Sequence, residues 1–158
     1  MKKLFLIIGL IALLIAGCSN DVNKTHHKAE HNKENFPPSM AGWIHVNGQK
    51  YEMDEGGYQW ERKKGLTTET IQTDHLSPNQ VAEKLHPIQL APNTNIRFEV
   101  EENPEIVVYL WNENGRDKEI MTKNNEMTVP QNKGRYIYEV LARWSNGEVS
   151  YTFVVEVN

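Results

Sequence analysis

The chain has 158 residues, of which 39% are hydrophobic and 24% are charged, with 17 lysine and arginine residues against 21 acidic ones. This length suits one domain of ordinary size, and the composition excludes a disordered chain and a polytopic membrane protein. The net charge of −4 excludes nucleic-acid binding as the main function, and a single cysteine excludes a disulfide framework or a thiolate zinc site.

The N-terminal residues have the pattern of a bacterial lipoprotein signal peptide. Lys2 and Lys3 precede an apolar run over residues 4–16, which is too short to remain as a membrane span. The run ends at residues 14–18 (LIAGC), which resemble the lipobox whose cysteine receives diacylglycerol and palmitate. We therefore predict a signal peptide over residues 1–17 and a lipid anchor on Cys18, on the extracytoplasmic face of the cell membrane.

The segment after the cysteine is predicted to be a disordered tether. Within residues 18–38, most side chains are Lys, Glu, Asn or His, and the few apolar residues cannot offset the entropy of ordering the segment. His26, His27 and His31 are its only chemical feature, and they leave an alternative function open. In that alternative, the tether binds copper or zinc, assisted by Met40 or Met53.

A globular domain is predicted over residues 39–158, and it begins with β-forming segments. Asn47-Gly48 separates two such segments and is a strong signal for a tight hairpin turn. Gly56-Gly57 is expected to break the chain before the next strand. The threonine-rich residues 67–73 are predicted to form an edge strand.

One short helix is predicted after this edge strand. Ser77 is suited to the N-cap and Pro78 to the first helical position. Val81 and Leu85 are four residues apart and give the helix one apolar stripe, and Pro87 follows its end. We expect a peripheral helix of about two turns.

The second half of the chain is predicted to consist of short strands. They are expected at residues 88–90, 95–100, 105–111, 126–129, 134–144 and 148–157. Apolar and polar residues alternate best in the last hairpin, where Tyr136, Tyr138 and Val140 share one face. Many short strands with turns every eight to twelve residues predict an all-β fold, an antiparallel β-sandwich.

A local motif refines this prediction. Gly134-Arg135-Tyr136 enters the penultimate strand and resembles the Gly-x-Tyr of the tyrosine corner in immunoglobulin-like domains. In that motif the tyrosine hydroxyl bonds to the backbone of the preceding loop. The fold prediction is therefore an immunoglobulin-like β-sandwich with one short peripheral helix.

The domain shows no pattern typical of an active site. No cysteine follows Cys18, and none of the serines lies in a Gly-x-Ser-x-Gly turn. Asp74 and His75 precede Ser77, but neighbours in sequence rarely converge into a triad, and Ser77 is better explained as a helix cap. The acidic pairs and loops lack the alternating carboxylates of a calcium loop. The sequence thus predicts a protein that is not an enzyme and that needs no cofactor.

The chain resembles a family of uncharacterised lipoproteins from Gram-positive bacilli over roughly residues 37–157. The resemblance is carried by short motifs: Pro37-Pro38, Val46-Asn47-Gly48, Gly57-Tyr58-Gln59-Trp60, Ser77-Pro78, Pro87-Ile88, Ala91-Pro92, residues 134–140, Ala142-Arg143-Trp144 and residues 150–153. It implies the fold and the location, and it implies no reaction.

Binding is the function class that remains. Four tryptophans are many for one small domain, and they are candidates for an exposed aromatic patch that contacts a protein or a glycan: Trp43, Trp60, Trp111 and Trp144. We predict a membrane-anchored, non-catalytic interaction module whose partner lies in the cell envelope.

Overall fold

The strands form as the alternation of apolar and polar residues predicts, and they dominate the protein. The computed structural model describes residues 35–158, and these contain eleven strands and one short helix, α1 (Pro78–Ala82). The strands are β1 (Gly42–Val46), β2 (Gln49–Glu52), β3 (Asp54–Lys64), β4 (Thr67–Thr73), β5 (Ile88–Leu90), β6 (Asn95–Val100), β7 (Glu105–Asn112), β8 (Gly115–Ile120), β9 (Glu126–Thr128), β10 (Gly134–Trp144) and β11 (Gly147–Val157). The predicted all-β class is confirmed.

The strands form two sheets. The smaller sheet has the order β2-β1-β6-β9, and the larger has the order β4-β3-β11-β10-β7-β8, with β5 paired to β11. The longest pairing joins β10 and β11 over their whole length, from Gly134↔Val157 to Trp144↔Gly147. Almost all pairs are antiparallel, as predicted.

Both sheets contribute to one hydrophobic core, as in a sandwich. In β6, Ile96, Phe98 and Val100 are buried, as their alternation predicts. Phe98 of the smaller sheet meets Phe153 of the larger one edge to face, with 6.0 Å between ring centroids. The inward face of the last hairpin is also confirmed, since Tyr138, Val140 and Phe153 are all buried.

Two short sequence motifs form the hairpin turn and the helix cap that they predict. Asn47 and Gly48 both have positive φ, 51° and 76°, and they form the turn between β1 and β2. Ser77 caps α1: its hydroxyl accepts from the Gln80 amide, and the Gln80 side chain accepts from the Ser77 amide at 3.0 Å. The threonine-rich strand β4 lies at an edge of the larger sheet, as predicted.

Four expectations about these elements are wrong. Gly56-Gly57 does not break the chain, because both glycines lie inside β3, opposite the register shift between Val149 and Tyr151. The helix ends at Ala82, so Leu85 lies outside it. β5 is parallel to β11, so the sheet is not wholly antiparallel. The charged segment 115–120 forms β8, which tolerates its polar residues because it is an edge strand.

One residue of the predicted tether packs against the domain. Phe36, which was assigned to the tether, is half-buried and packs against the core. The Arg62 guanidinium lies over the Phe36 ring, 4.4 Å from the ring centroid. Phe36 therefore contributes to the packing of the domain, although the sequence places it in the predicted tether.

Candidate functional site

The most unusual polar residue of the domain is Glu139, a buried carboxylate on the outer face of the larger sheet. It lies in the middle of β10 and is 4% exposed. Arg116 of β8 binds it in a bidentate manner, with Nε 2.7 Å from Oε2 and an Nη 2.8 Å from Oε1. Trp111 Nε1 donates to Oε2 at 2.7 Å, and the Ser150 hydroxyl donates to Oε1 at 3.0 Å. Four donors from three neighbouring strands therefore hold this one carboxylate.

These donors keep Glu139 ionised. Burial by itself raises the pKa of this carboxyl group, but the hydrogen bonds from Arg116, Trp111 and Ser150 and the positive charge of Arg116 outweigh burial and lower the pKa. In turn, the hydrogen bond to Glu139 and its negative charge raise the pKa of Arg116. The Arg116 guanidinium also lies over the Tyr109 ring, 4.4 Å from the centroid, and its side chain remains 46% exposed. The network thus presents a fixed, half-exposed guanidinium at the surface.

A polar groove runs beside this network. Two adjoining depressions, of about 260 and 500 Å³, lie on the outer face of the larger sheet, and both are open to solvent. Their shared lining residues are Gly57, Thr73, Asp74, Arg116, Glu139 and Ser150. Side-chain amides from Gln59 and Gln72, which are cross-strand partners in β3 and β4, line the smaller depression. The groove therefore offers both hydrogen-bond donors and acceptors.

The helix and its preceding loop close one end of this groove. Pro78, Val81 and Ala82 are buried, and α1 packs on β10, β11 and β7. The Arg135 guanidinium, on the same face of β10 as Glu139, donates to the Ala82 carbonyl at 2.6 Å. Helix α1 therefore covers one part of the outer sheet face and leaves the part beyond Glu139 open.

Sequence reasoning missed this network, although it named Trp111. Glu139 shares one face of β10 with Ile137 and Leu141, and in the sequence a single glutamate in a strand looks like any surface residue. Its partners lie 23, 28 and 11 residues away in the chain. Only the pairing of β10 with β7 and β11, and of β7 with β8, brings them together.

The four candidate tryptophans do not form one exposed patch. Trp60 is 1% exposed and packs at a tilt against the half-buried Trp144, with 5.0 Å between their centroids, so Trp60 is a core residue. Trp144 Nε1 donates to the Glu101 carbonyl at 3.3 Å. Trp43 lies on the outer face of the smaller sheet beneath Lys50, whose Nζ is 3.8 Å from the ring centroid. Of the four, only Trp111 lines the groove.

The triad alternative around Ser77 is not supported by the geometry. His75 Nδ1 lies 3.4 Å from the Leu76 carbonyl, and the Ser77 hydroxyl serves the helix cap. His45 Nε2 contacts Glu99 Oε2 at 2.5 Å on the smaller sheet, and His86 is exposed. The three histidines of the described domain therefore lie in separate parts of the fold.

The predicted metal ligands divide into two groups. Met40 and Met53 are buried in the core, 6% and 4% exposed. Within residues 35–158, no three His, Cys, Asp or Glu side chains converge as a metal site would require. Cys18, His26, His27 and His31 lie outside the described residues.

No helix within residues 35–158 has the length and apolar character needed to cross a bilayer.

Comparison with protein families, with curated proteins and with solved structures finds no match to this chain.

Proposed function

We propose that the protein is an extracytoplasmic lipoprotein, anchored to the cell membrane through Cys18, whose domain is a non-catalytic binding module. The observation that carries the binding role is the Glu139–Arg116 pair beside an open polar groove. A buried ion pair is weak as a source of stability, because desolvating both charges offsets much of their attraction. It does hold Arg116 in one orientation, and a binding surface gains from such preorganisation.

An immunoglobulin-like arrangement is part of this proposal, and the strand order supports it. In immunoglobulin-like sandwiches, strands B and E lie together in one sheet and strands C, F and G in the other. Here β6 and β9 are neighbours in the smaller sheet, and β7, β10 and β11 are neighbours in the larger. Tyr136, at the start of β10, donates to the Asn132 carbonyl, which is the bond of a tyrosine corner. Strands β2, β3 and β4 extend the two sheets at their edges.

The roles of the groove's reactive side chains support binding over catalysis. Ser150 donates a hydrogen bond to Glu139, whose lowered pKa makes it a weak base, so the hydroxyl is poorly activated as a nucleophile. Glu139 is held ionised by four donors and has no free position from which to accept a substrate proton. The other polar side chains of the groove include the Gln59 and Gln72 amides and the Asp74 and Glu148 carboxylates, which suit the hydroxyl and amide groups of a glycan or a peptide.

Photo-crosslinking in the native membrane tests this proposal. A benzophenone amino acid would replace Gln72 at the groove wall, or, as a matched control, the exposed Arg97 on the outer face of the smaller sheet. We expect a discrete adduct from position 72 that is lost in the Arg116→Ala background, and no such adduct from position 97. Equal labelling from the two positions, or an adduct from position 72 that persists in the Arg116→Ala background, would exclude the groove as the binding face.

A further inference from the structure

The hairpin of β3 and β4 projects beyond the rest of the larger sheet. Strand β3 pairs with β11 only as far as Trp60↔Gly147, whereas its pairing with β4 continues to Lys64↔Thr67. Glu61 still bonds to Asn146 in the turn before β11, so residues 62–69 form a two-stranded arm, which we call the β3–β4 arm. Gly65, with φ of 66°, makes the turn at its tip.

The tip of this arm combines an exposed apolar side chain with positive charge. Leu66 is fully exposed, at 107% of the reference area. Arg62 and Glu69 pair across the arm at 2.8 Å, and Lys64 lies 4.0 Å from the same carboxylate. Beyond that pair, residues 63–68 include Lys63 and Lys64 and no acidic residue. A leucine held in water beside lysines is the composition of a surface that inserts shallowly into an anionic bilayer.

The base of the arm lies where the chain enters the domain. Phe36 packs under the Arg62 guanidinium, so the first described residues of the domain lie beside the arm. The chain between Cys18 and Asn35 can span at most about 60 Å, because each residue adds no more than about 3.6 Å. An anchor at Cys18 would therefore hold the arm within reach of the bilayer surface.

We propose that the tip of the β3–β4 arm contacts the membrane to which the protein is anchored. Leu66 enters the boundary between headgroups and acyl chains, and Lys63 and Lys64 lie against anionic headgroups. This inference rests on the proposed lipid anchor at Cys18. It would also orient the groove: the groove residue Thr73 is at the far end of β4 from the tip, roughly 20 Å away at about 3.3 Å per residue. The groove would then face the envelope and remain accessible to a partner.

An environment-sensitive probe on the full lipidated chain tests this contact. The single native thiol, Cys18, would be blocked by its lipid, so Leu66→Cys accepts a nitrobenzoxadiazole label selectively. Met121→Cys is the matched control, since Met121 is 94% exposed and follows β8 at the opposite edge of the same sheet. Both labelled proteins would be reconstituted into vesicles of phosphatidylglycerol or of phosphatidylcholine alone.

We expect blue-shifted emission and protection from an aqueous quencher at position 66 in phosphatidylglycerol vesicles, and a water-exposed probe at position 121. Each of Lys63→Ala and Lys64→Ala should lower the ratio of membrane-bound to water-exposed tip about fivefold, since each basic residue contributes a similar binding free energy near an anionic surface.

A probe at position 66 as exposed as that at 121, in protein that sediments with the vesicles, would overturn the arm contact alone. Protein that does not sediment would overturn the anchor and this inference together. Protection that persists in phosphatidylcholine and grows with protein density would point to a second copy of the chain and overturn the lipid contact.

Discussion

The hydroxyl of Tyr136 donates a hydrogen bond to the backbone carbonyl of Asn132, 2.8 Å away and four residues earlier in the chain. This bond ties the loop before β10 to the strand itself. Gly134, between them, has φ of 150°, and the Tyr136 ring lies 3.7 Å from where a Cβ on that glycine would be. The tyrosine and the glycine therefore form one local unit at the entrance to β10.

The variant Tyr136→Phe should destabilise the domain by about 1 kcal/mol, because it removes this hydrogen bond while water can still reach the Asn132 carbonyl. Urea unfolding measures the difference. Tyr138→Phe is the control, since the Tyr138 ring stacks on Phe153 at 5.1 Å and keeps that contact without its hydroxyl. If Tyr136→Phe unfolds at the parent's urea concentration, the corner contributes nothing to stability.

Replacing Glu139 with Gln should cost about 2 kcal/mol at pH 7, because the pair between a buried carboxylate and a half-exposed guanidinium is broken while Arg116 can still be solvated. The loss should depend on pH. The folded-state pKa of Glu139 lies below its ordinary value of 4.5, so its stabilisation is present above that value and is lost as the pH falls through the folded pKa.

The parent and Glu139→Gln unfolding curves should therefore converge as the pH falls through the lowered folded-state pKa of Glu139. Glu99→Gln is the matched control. The hydrogen bond from Lys50 lowers the pKa of Glu99 in the same direction, but its side chain is 42% exposed. That exposed pair should contribute less than about 0.5 kcal/mol at any pH. A Glu139 effect as small as this would mean that the buried network does not stabilise the fold.

Gly147→Ala should destabilise the domain by about 2 kcal/mol or more, because a Cβ at this position would lie 2.2 Å from the Trp60 ring and 2.5 Å from the Gln59 carbonyl. The pairing Trp60↔Gly147 places the largest core side chain against the smallest residue. Thermal unfolding of Gly147→Ala beside Ser145→Ala, an exposed change in the same turn, measures the effect. Equal melting temperatures would show that the ring moves aside freely.

Deleting residues 20–34 should leave the melting temperature unchanged within a degree or two, if this segment is the tether that the sequence predicts. Phe36→Ala should lower stability by about 1–2 kcal/mol, because Phe36 packs on the core and beneath Arg62. The two variants together locate the start of the domain. A destabilising deletion would show that residues before Asn35 contribute native contacts.

Metabolic labelling with a palmitate analogue should mark the wild-type chain and leave Cys18→Ala unmarked, since residues 14–18 resemble a lipobox. The wild-type protein should sediment with membranes, and the variant should not do so to the same extent. Label retained by Cys18→Ala would place the acyl chain elsewhere and remove the basis for an anchor at this cysteine.

Features set by neighbours along the chain could be predicted from the sequence. Asn47-Gly48 accepts positive φ at two successive residues, and Ser77 with Gln80 satisfies the first amides of a helix, so each determines its own turn or cap. Ile96, Phe98 and Val100 alternate because a strand exposes successive side chains to opposite faces. The Gly134-Arg135-Tyr136 motif predicted a bond that spans only four residues.

Features set by distant partners needed the tertiary structure. Gly56-Gly57 reads as a chain break, but the pairing of β3 with β11 carries the strand through both glycines. The Gly115–Ile120 segment is too polar to signal a strand by itself, yet β7 provides the hydrogen bonds that make it one. Glu139 looks like a solvated surface residue until strand pairing brings Arg116, Trp111 and Ser150 to it. Burial of a charge depends on which groups surround it in space, and the sequence of one strand does not show which groups those are.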